Sequence, residues 1–382
     1  SLAPRDGWKS DPPHHLDANQ ARTCEIETTS ELAITMRYGT HHIGIHLGHG
    51  TFSVEPGDAV KPEGGESVAA AQWRVLESSP VKKYKEKKVP KQLEFKGEAG
   101  NLKGENDKGL WGGLVLNGRA PINACTDATA VGGSADCEKS GEGSSGLFGG
   151  ADAADSSGIL NYVQVRFAGF KVNNEDELNG IAFQGVGSDT FVDYVQVHNN
   201  SDDGVEMFGG AVDLRHLVLT GNDDDSMDYT DGWRGRAQYV IVVQGASGDQ
   251  GFEFDNRGGN DTANNLEPRS NPMISNFTLI GNRNGSGSND SDQGMLIREG
   301  TAGRLYNGIV ADFGDDCIDI DQDATFARIG ASTDSLEIQS VALDCVNNFD
   351  ESSGDPLDLS DWFLAQPNNA EYTNSLTGFA FF

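Results

Sequence analysis

NGIAFQG (179–185), DGVEMFG (203–209), DSMDYTD (225–231), QGFEFDN (250–256), QGMLIRE (293–299) and DCIDIDQ (316–322) are six versions of one phrase. Each places a small or turn-forming residue before an apolar–any–apolar triplet. Their starts lie 24, 22, 25, 43 and 23 residues apart, the 43 being close to two periods with an insertion. Self-similarity at such a period is the mark of a solenoid.

A second phrase keeps step with the first: LNYVQVRFAG (160–169), FVDYVQVHNN (191–200), VDLRHLVLTGN (212–222), AQYVIVVQG (237–245), ISNFTLIGN (274–282), LYNGIVADFG (305–314) and LEIQSVALDC (336–345). Both phrases are short runs rich in Val, Ile, Leu, Tyr and Phe, read here with period-two alternation and bounded by Gly, Asn, Asp and Ser, which is strand chemistry. No repeat carries a helix-length 3.6-residue pattern. Repeats of 22–25 residues are too short for propeller blades and lack the spaced leucines of leucine-rich repeats. The expected fold is therefore all-β, a right-handed parallel β-helix. Val205 and Met207, Met227 and Tyr229, Phe252 and Phe254, Met295 and Ile297, and Ile318 and Ile320 should point inward and stack on their counterparts from rung to rung.

Charge divides the chain. Residues 1–104 hold 14 Lys+Arg against 14 Asp+Glu, whereas residues 105–382 hold 14 against 45, so the net charge of −31 belongs to the repeats. So acidic a surface repels phosphate backbones and anionic membranes and argues against nucleic-acid binding. The expected organisation is an N-terminal extension or cap over 1–49, a β-helix over 50–363 with a loop around 122–158, and a C-terminal tail or cap over 364–382. GTFSVEPGDAVK (50–61) reads as an opening coil, and the lysine-rich stretch 81–108 as a connector or cap. No apolar run is long enough to span a bilayer, and no signal peptide opens the sequence as it stands.

Five cysteines are present. Cys125 and Cys137 bracket the start of the Gly/Ser/Ala-rich excursion, and Cys317 and Cys345 lie about one coil apart, so two disulfides are expected, with Cys24 left over. Disulfides imply an oxidising compartment, hence an exported protein at the outer cell surface, secreted, or in the periplasm.

Aligning the first phrases puts Glu206, Asp228, Glu253, Leu296 and Asp319 in one outward column and Phe208, Thr230, Asp255, Arg298 and Asp321 in the next. Asp202 and Asp203, then Asp223, Asp224 and Asp225, then Asp249, Asp292, and Asp315 with Asp316 stand at the preceding turns. Rungs of a parallel sheet are about 4.8 Å apart. Two unit charges at that spacing repel by roughly 3 kcal/mol at an effective dielectric near 20. A bound cation, retained protons or an interleaved Arg298 would relieve this. Aspartate-rich turns suit Ca²⁺, which takes six to eight oxygens in loose geometry, and the expected ligands are Asp202, Asp203, Asp223, Asp224, Asp225, Asp315 and Asp316. Asp also caps tight turns through its own side chain, which is the plainer explanation.

An enzyme reading uses the same columns. Glycoside hydrolysis needs two carboxyls about 5 Å apart for retention or about 6.5–9.5 Å for inversion, and Asp228 with Glu253, or Asp255 with Asp231, are candidates. A polysaccharide lyase would use Ca²⁺ with Arg298 or Arg257 as base, and Trp233 would stack on a sugar. Glu206, Trp233, Arg257, Asp319 and Asp321 are the candidate ligand-binding residues. A column of this kind also supplies such pairs without catalysis. His41, His42, His46 and His49 could converge on Zn or Cu but lack a completing Cys or carboxylate pair. His198 and His216 read as lying at corresponding turns with no Ser or Cys partner.

WGGLVLNGRAPIN, GEGSSGLFGG, ELNGIAFQGVGS, VDYVQVHNNSDDGVEMFGG, RHLVLTGNDDDSMDYTDGWRG, SNPMISNFTLIGN and DDCIDID together resemble, over about 109–363, a family of exported bacterial right-handed parallel β-helix proteins of unassigned function, several of them lipoprotein-like. More distantly the coils resemble pectate-lyase-like folds, whose members cleave acidic polysaccharides. The resemblance implies a place at the outer surface beside an outer-membrane uptake receptor and supplies no catalytic residues. The leading expectation is a non-catalytic, calcium-stabilised binder of polysaccharide or another extended polymer. A lyase or hydrolase and a structural surface component remain alternatives.

Overall fold

The computed structural model describes residues 107–171, 178–283 and 291–373 and, before them, only the backbone of short strands between Glu25 and Glu98. Cys24 and His49 lie outside the described residues, as do the side chains of His41, His42 and His46 and those of the opening-coil stretch 50–61. Two parallel sheets are wound from the repeats. The first stacks Gly113–Asn117, Ile181–Gln184, Val205–Phe208, Met227–Thr230, Phe252–Phe254, Met295–Ile297, Asp316–Ile320 and Asn347–Phe349. The second stacks Ile159–Arg166, Phe191–His198, Asp213–Thr220, Arg236–Val243, Met273–Ile280, Gly303–Ala311, Leu336–Asp344 and Ala370–Glu371. The chain passes alternately between them, one strand of each per coil, which makes a parallel β-helix.

Register follows the aligned phrases. Leu114, Ile181, Val205, Met227, Phe252, Met295 and Ile318 pair rung to rung, as do Leu116, Phe183, Met207, Tyr229, Phe254, Ile297 and Ile320. All are buried. The core holds an aromatic run in which Phe254 stacks on Tyr229 at 4.3 Å and on Phe252 at 4.9 Å between centroids. Because each coil of a solenoid is stabilised chiefly by its neighbours, a hole there weakens three rungs at once. Phe254→Ala should cost about 3–5 kcal/mol, and chemical denaturation should show it as a lowered midpoint. A loss under about 1 kcal/mol would mean that the stack is not tightly packed.

The second sheet departs from strict alternation. Each long strand carries one residue with left-handed φ at the same register: Tyr162, Tyr194, His216, Tyr239, Asn276, Asn307 and Ser340, with φ between 49° and 64°. The ladder steps over these positions, pairing Asn161 with Asp193 and then Val163 with Val195. Such a bulge bends the strand and throws one side chain outward. His216 therefore lies at the bulge column and His198 at a strand end, opposite Thr220, so the two histidines do not correspond. Inward positions here run Val163, Val195, Leu217, Val240 and Phe277, and Gly308 comes next. A Cβ at Gly308 would meet the Phe277 ring at 2.1 Å, so the small residue makes room for the large one beneath it.

Disulfides join Cys125 to Cys137 and Cys317 to Cys345. The excursion begun by the first folds onto the outer side of the first sheet. There Ile122, Cys137 and Phe148 pack on Val115, Ala182 and Phe208 as a small second core. No described helix is long and apolar enough to cross a membrane.

Candidate functional site

Outward residues of the first sheet are largely covered, which corrects the expectation of a solvated carboxylate column. Glu206, Asp228 and Asp319 keep under a tenth of their surface, and so do Val115, Ala182 and Leu296 in the same column. The cover over the first rungs is the excursion. Asn179 donates both to Glu142 of that loop, at 3.0 Å, and to Glu206, at 2.7 Å.

The turns before the strands are built from side chains that replace missing backbone partners. Asn200 donates to the Asp203 carbonyl at 2.7 Å, and the Asn222 amide oxygen accepts from the Asn200 N–H at 3.2 Å. The Asp203 carboxylate accepts from the Asp225 N–H at 3.0 Å, and that of Asp225 from the Gln250 N–H at 2.8 Å. Each aspartate thus ties one turn to the next, an ordinary use of a short acidic side chain.

Stacking those turns on the outward column produces two acidic groups that share Asp203. Carboxylate oxygens of Asp203, Glu206 and Asp228 lie within 4.8 Å of one another, and those of Asp202, Asp203 and Asp224 do likewise. Among the described residues no Lys or Arg forms an ion pair with Asp203, Glu206 or Asp228. Burial, followed by Asp202 and Asp225, pushes the Asp203 carboxyl well above the usual range. Burial, then Glu142 and Asp203, does the same for Glu206, and burial with Glu206 and Glu253 for Asp228. Asp202, half-buried beside Asp224, is pushed up to about 6. Oδ1 of Asp228 is buried and has no hydrogen-bond partner. An all-oxygen set with an orphaned carboxylate oxygen fits a hard divalent cation such as Ca²⁺.

The other expected metal ligands belong to neither group. Asp223 is held by Lys108 and Ser247. Asp225 lies against Glu253. Asp315 meets Asn347 at 3.2 Å, and Asp316, raised to about 6 by burial and Asp315, sits several rungs away. A hollow of about 740 Å³ beside Asp223, lined in part by Lys108, Arg166 and His198, does not include the trio.

Arg298 is the interleaved cation of the column. It binds Glu253 and, through Nε, Asp255 at 3.1 Å, rather than bridging Asp255 and Asp321. Burial works against its charge, but Asp255 and Glu253 outweigh that and hold it protonated, which argues against a role as proton-abstracting base. Asp255 itself is raised to about 8, burial dominating over Arg298. Asp319, receiving Gln293 at 2.8 Å, is raised to about 7 by burial and by Asp321, which is exposed.

Two further expectations are corrected. Trp233 cannot stack on a sugar: it is fully buried, packs on Tyr229, and donates its Nε1–H to the Val212 carbonyl at 3.2 Å. Its indole is held inward where Gly235 lets the Val212 carbonyl of the preceding coil approach closely. Asp231 cannot partner Asp255 in catalysis, and Arg257 is not free to act as base. Asp231 is fully buried between Lys139 of the excursion, at 2.7 Å, and Arg257, at 2.8 Å. Glu142 and Lys139 escaped sequence reasoning because only the folded path of the excursion brings them to the column, and Asn179 read only as the turn residue that opens the first phrase.

The family described as a pectate-lyase like beta helix domain matches residues 101–378. No curated protein and no solved structure matches the chain.

Proposed function

The chain belongs to the pectate-lyase-like β-helix family, and from that premise we propose that it is a non-catalytic, calcium-loaded binder of acidic polysaccharide, working outside the cytoplasm. The observation that carries this is the buried trio Asp203, Glu206 and Asp228, three converging carboxyls without a cationic partner among the described residues. Ca²⁺ held there would offset their repulsion, and at the adjoining, half-buried Asp202 and Asp224 it would offer open coordination positions to the carboxylates of a polymer. The two disulfides and the family fit an extracellular setting. Delivery of the bound polymer to an outer-membrane uptake receptor is the role that setting suggests.

Lyase chemistry has weaker support, because Arg298 is pinned as a cation by two carboxylates. A retaining hydrolase is no better served, since of the candidate pair Asp228 is buried and Glu253 is bound by Arg298.

Calorimetric titration of the EDTA-treated protein with Ca²⁺ should show saturable binding, weakened at least about tenfold in Asp203→Asn and Asp228→Asn. Affinity electrophoresis through polygalacturonate or alginate should retard the wild type, with EDTA abolishing the shift and no unsaturated or reducing ends released. Turnover of either polymer, or retardation indifferent to EDTA, would refute the proposal.

A further inference from the structure

The bulge column of the second sheet leaves a feature on a different face from the carboxylates. Tyr162, Tyr194, His216 and Tyr239 stack along the helix axis with centroid spacings of 4.7, 4.4 and 4.8 Å and ring planes within 18° of parallel. The three tyrosines are 40, 44 and 43% exposed. His216 is fixed in the stack by Asp193, 2.6 Å from its Nδ1. Beside the rings runs a groove of about 530 Å³ whose opposite wall includes Gln196, Val218, Ile241 and Thr278. No Lys, Arg, Asp or Glu lines it, in a chain of net charge −31.

The rings meet each other face to face, so all but the outer faces of Tyr162 and Tyr239 are spent on one another, and what the row presents along its length is ring edges and phenol hydroxyls. An aromatic edge is the positive part of the ring quadrupole, so a row of edges attracts oxygen atoms rather than cations. With phenols, amides and aliphatic carbons alternating along it, the groove matches an extended, oxygen-rich, uncharged chain. Left-handed φ is also costly for Tyr, whereas Asn adopts it readily and does so at 276 and 307 of the same column. The first four rungs thus carry rings where the backbone would favour Asn.

We infer that this groove is a second polysaccharide site, one that takes a neutral glycan lying along the helix axis without any metal. The inference is independent of the calcium site, and its test separates the two. Binding of cellohexaose, xylohexaose, mannohexaose and maltohexaose would be measured calorimetrically in EDTA, for wild type and for the double variant Tyr194→Asn/Tyr239→Asn. Asn already occupies this column, so the coil should keep its fold, as circular dichroism would verify. The expected result is EDTA-insensitive binding of at least one hexaose, weakened about tenfold or more in the variant, with polygalacturonate retardation unchanged. Absence of binding to all four, or equal affinity in the variant, overturns the inference. So does concentration-dependent self-association that the variant abolishes, since a second copy would then occupy the groove.

Discussion

Stripped of divalent cations, the protein is expected to melt at a lower temperature at pH 8 than at pH 5, by roughly 10 °C, and saturating Ca²⁺ should remove most of that difference. The sign follows from the carboxyls. Asp202, Asp249 and Asp316 are pushed to about 6, Asp319 to about 7 and Asp255 to about 8, in each case chiefly by burial. Asp203, Glu206, Asp225 and Asp228 are raised well above the usual range, again chiefly by burial. In the unfolded chain these groups titrate near the ordinary carboxylate value of about 4. Between that value and about pH 8 the folded protein therefore holds more protons than the unfolded one, and stability falls as pH rises. Asp334 and Glu337 run the other way. Hydrogen bonds hold both below their ordinary values, Asp334 against the pull of burial, so their contribution is lost only on acidification past that range. Calcium competes with the protons for the same oxygens and stabilises by mass action. Melting curves from pH 5 to 8, in EDTA and in Ca²⁺, test this. A melting temperature that is flat or rising in EDTA would show that the cluster is hydrated and ionised at little cost.

Asp231→Asn is expected to destabilise the protein by about 2–3 kcal/mol and to open the excursion to proteolysis between 126 and 147. Removing one partner from a fully buried ion pair costs about 3–5 kcal/mol. Here Lys139 and Arg257 keep roughly a third of their surface in water, 29 and 35%, and recover part of that by hydration. Asn is a fair replacement because residue 231 has φ 55°, which Asn tolerates, and its carbonyl can still receive the Asn123 N–H. Without the charge, Lys139 loses its anchor to the helix. The Cys125–Cys137 bridge holds only the first part of the loop, leaving Glu142 free to move off Glu206. Denaturant titration and trypsin digestion under native conditions give the two readouts. If Asp231→Asn and Lys139→Met prove additive in a double-mutant cycle, the pair does not couple loop to helix.

Particular residues show how far the sequence could be read. Val205 and Met207 pair with Met227 and Tyr229 because period-two side chains in a parallel coil have one inward face, and identical register is the arrangement that stacks apolar on apolar. Cys317 and Cys345 meet because one coil of chain separates them. Trp233, by contrast, sits in a phrase rich in Gly, Asp and Arg that reads as exposed, yet its ring is fully buried against Tyr229 and bonded to the Val212 carbonyl of the preceding coil. The column of Tyr162, Tyr194 and Tyr239 was not legible, because alternation counted from Leu160, Val192 and Ala237 aims these rings inward. A left-handed residue in each strand reverses that.

Repeat period, register, inward stacks, the two disulfides and the acid balance of the repeats were determined by the sequence itself, since each follows from spacing along a chain whose coils stack on their neighbours. The tertiary structure decided what covers the outward face. The excursion is not part of the repeat, so its path, which buries Glu206 and Asp228 and ties Lys139 to Asp231, has no counterpart in the periodicity. It also decided which carboxyls converge and which are neutralised, because a column fixes the distance between rungs and leaves open which neighbour each side chain turns toward.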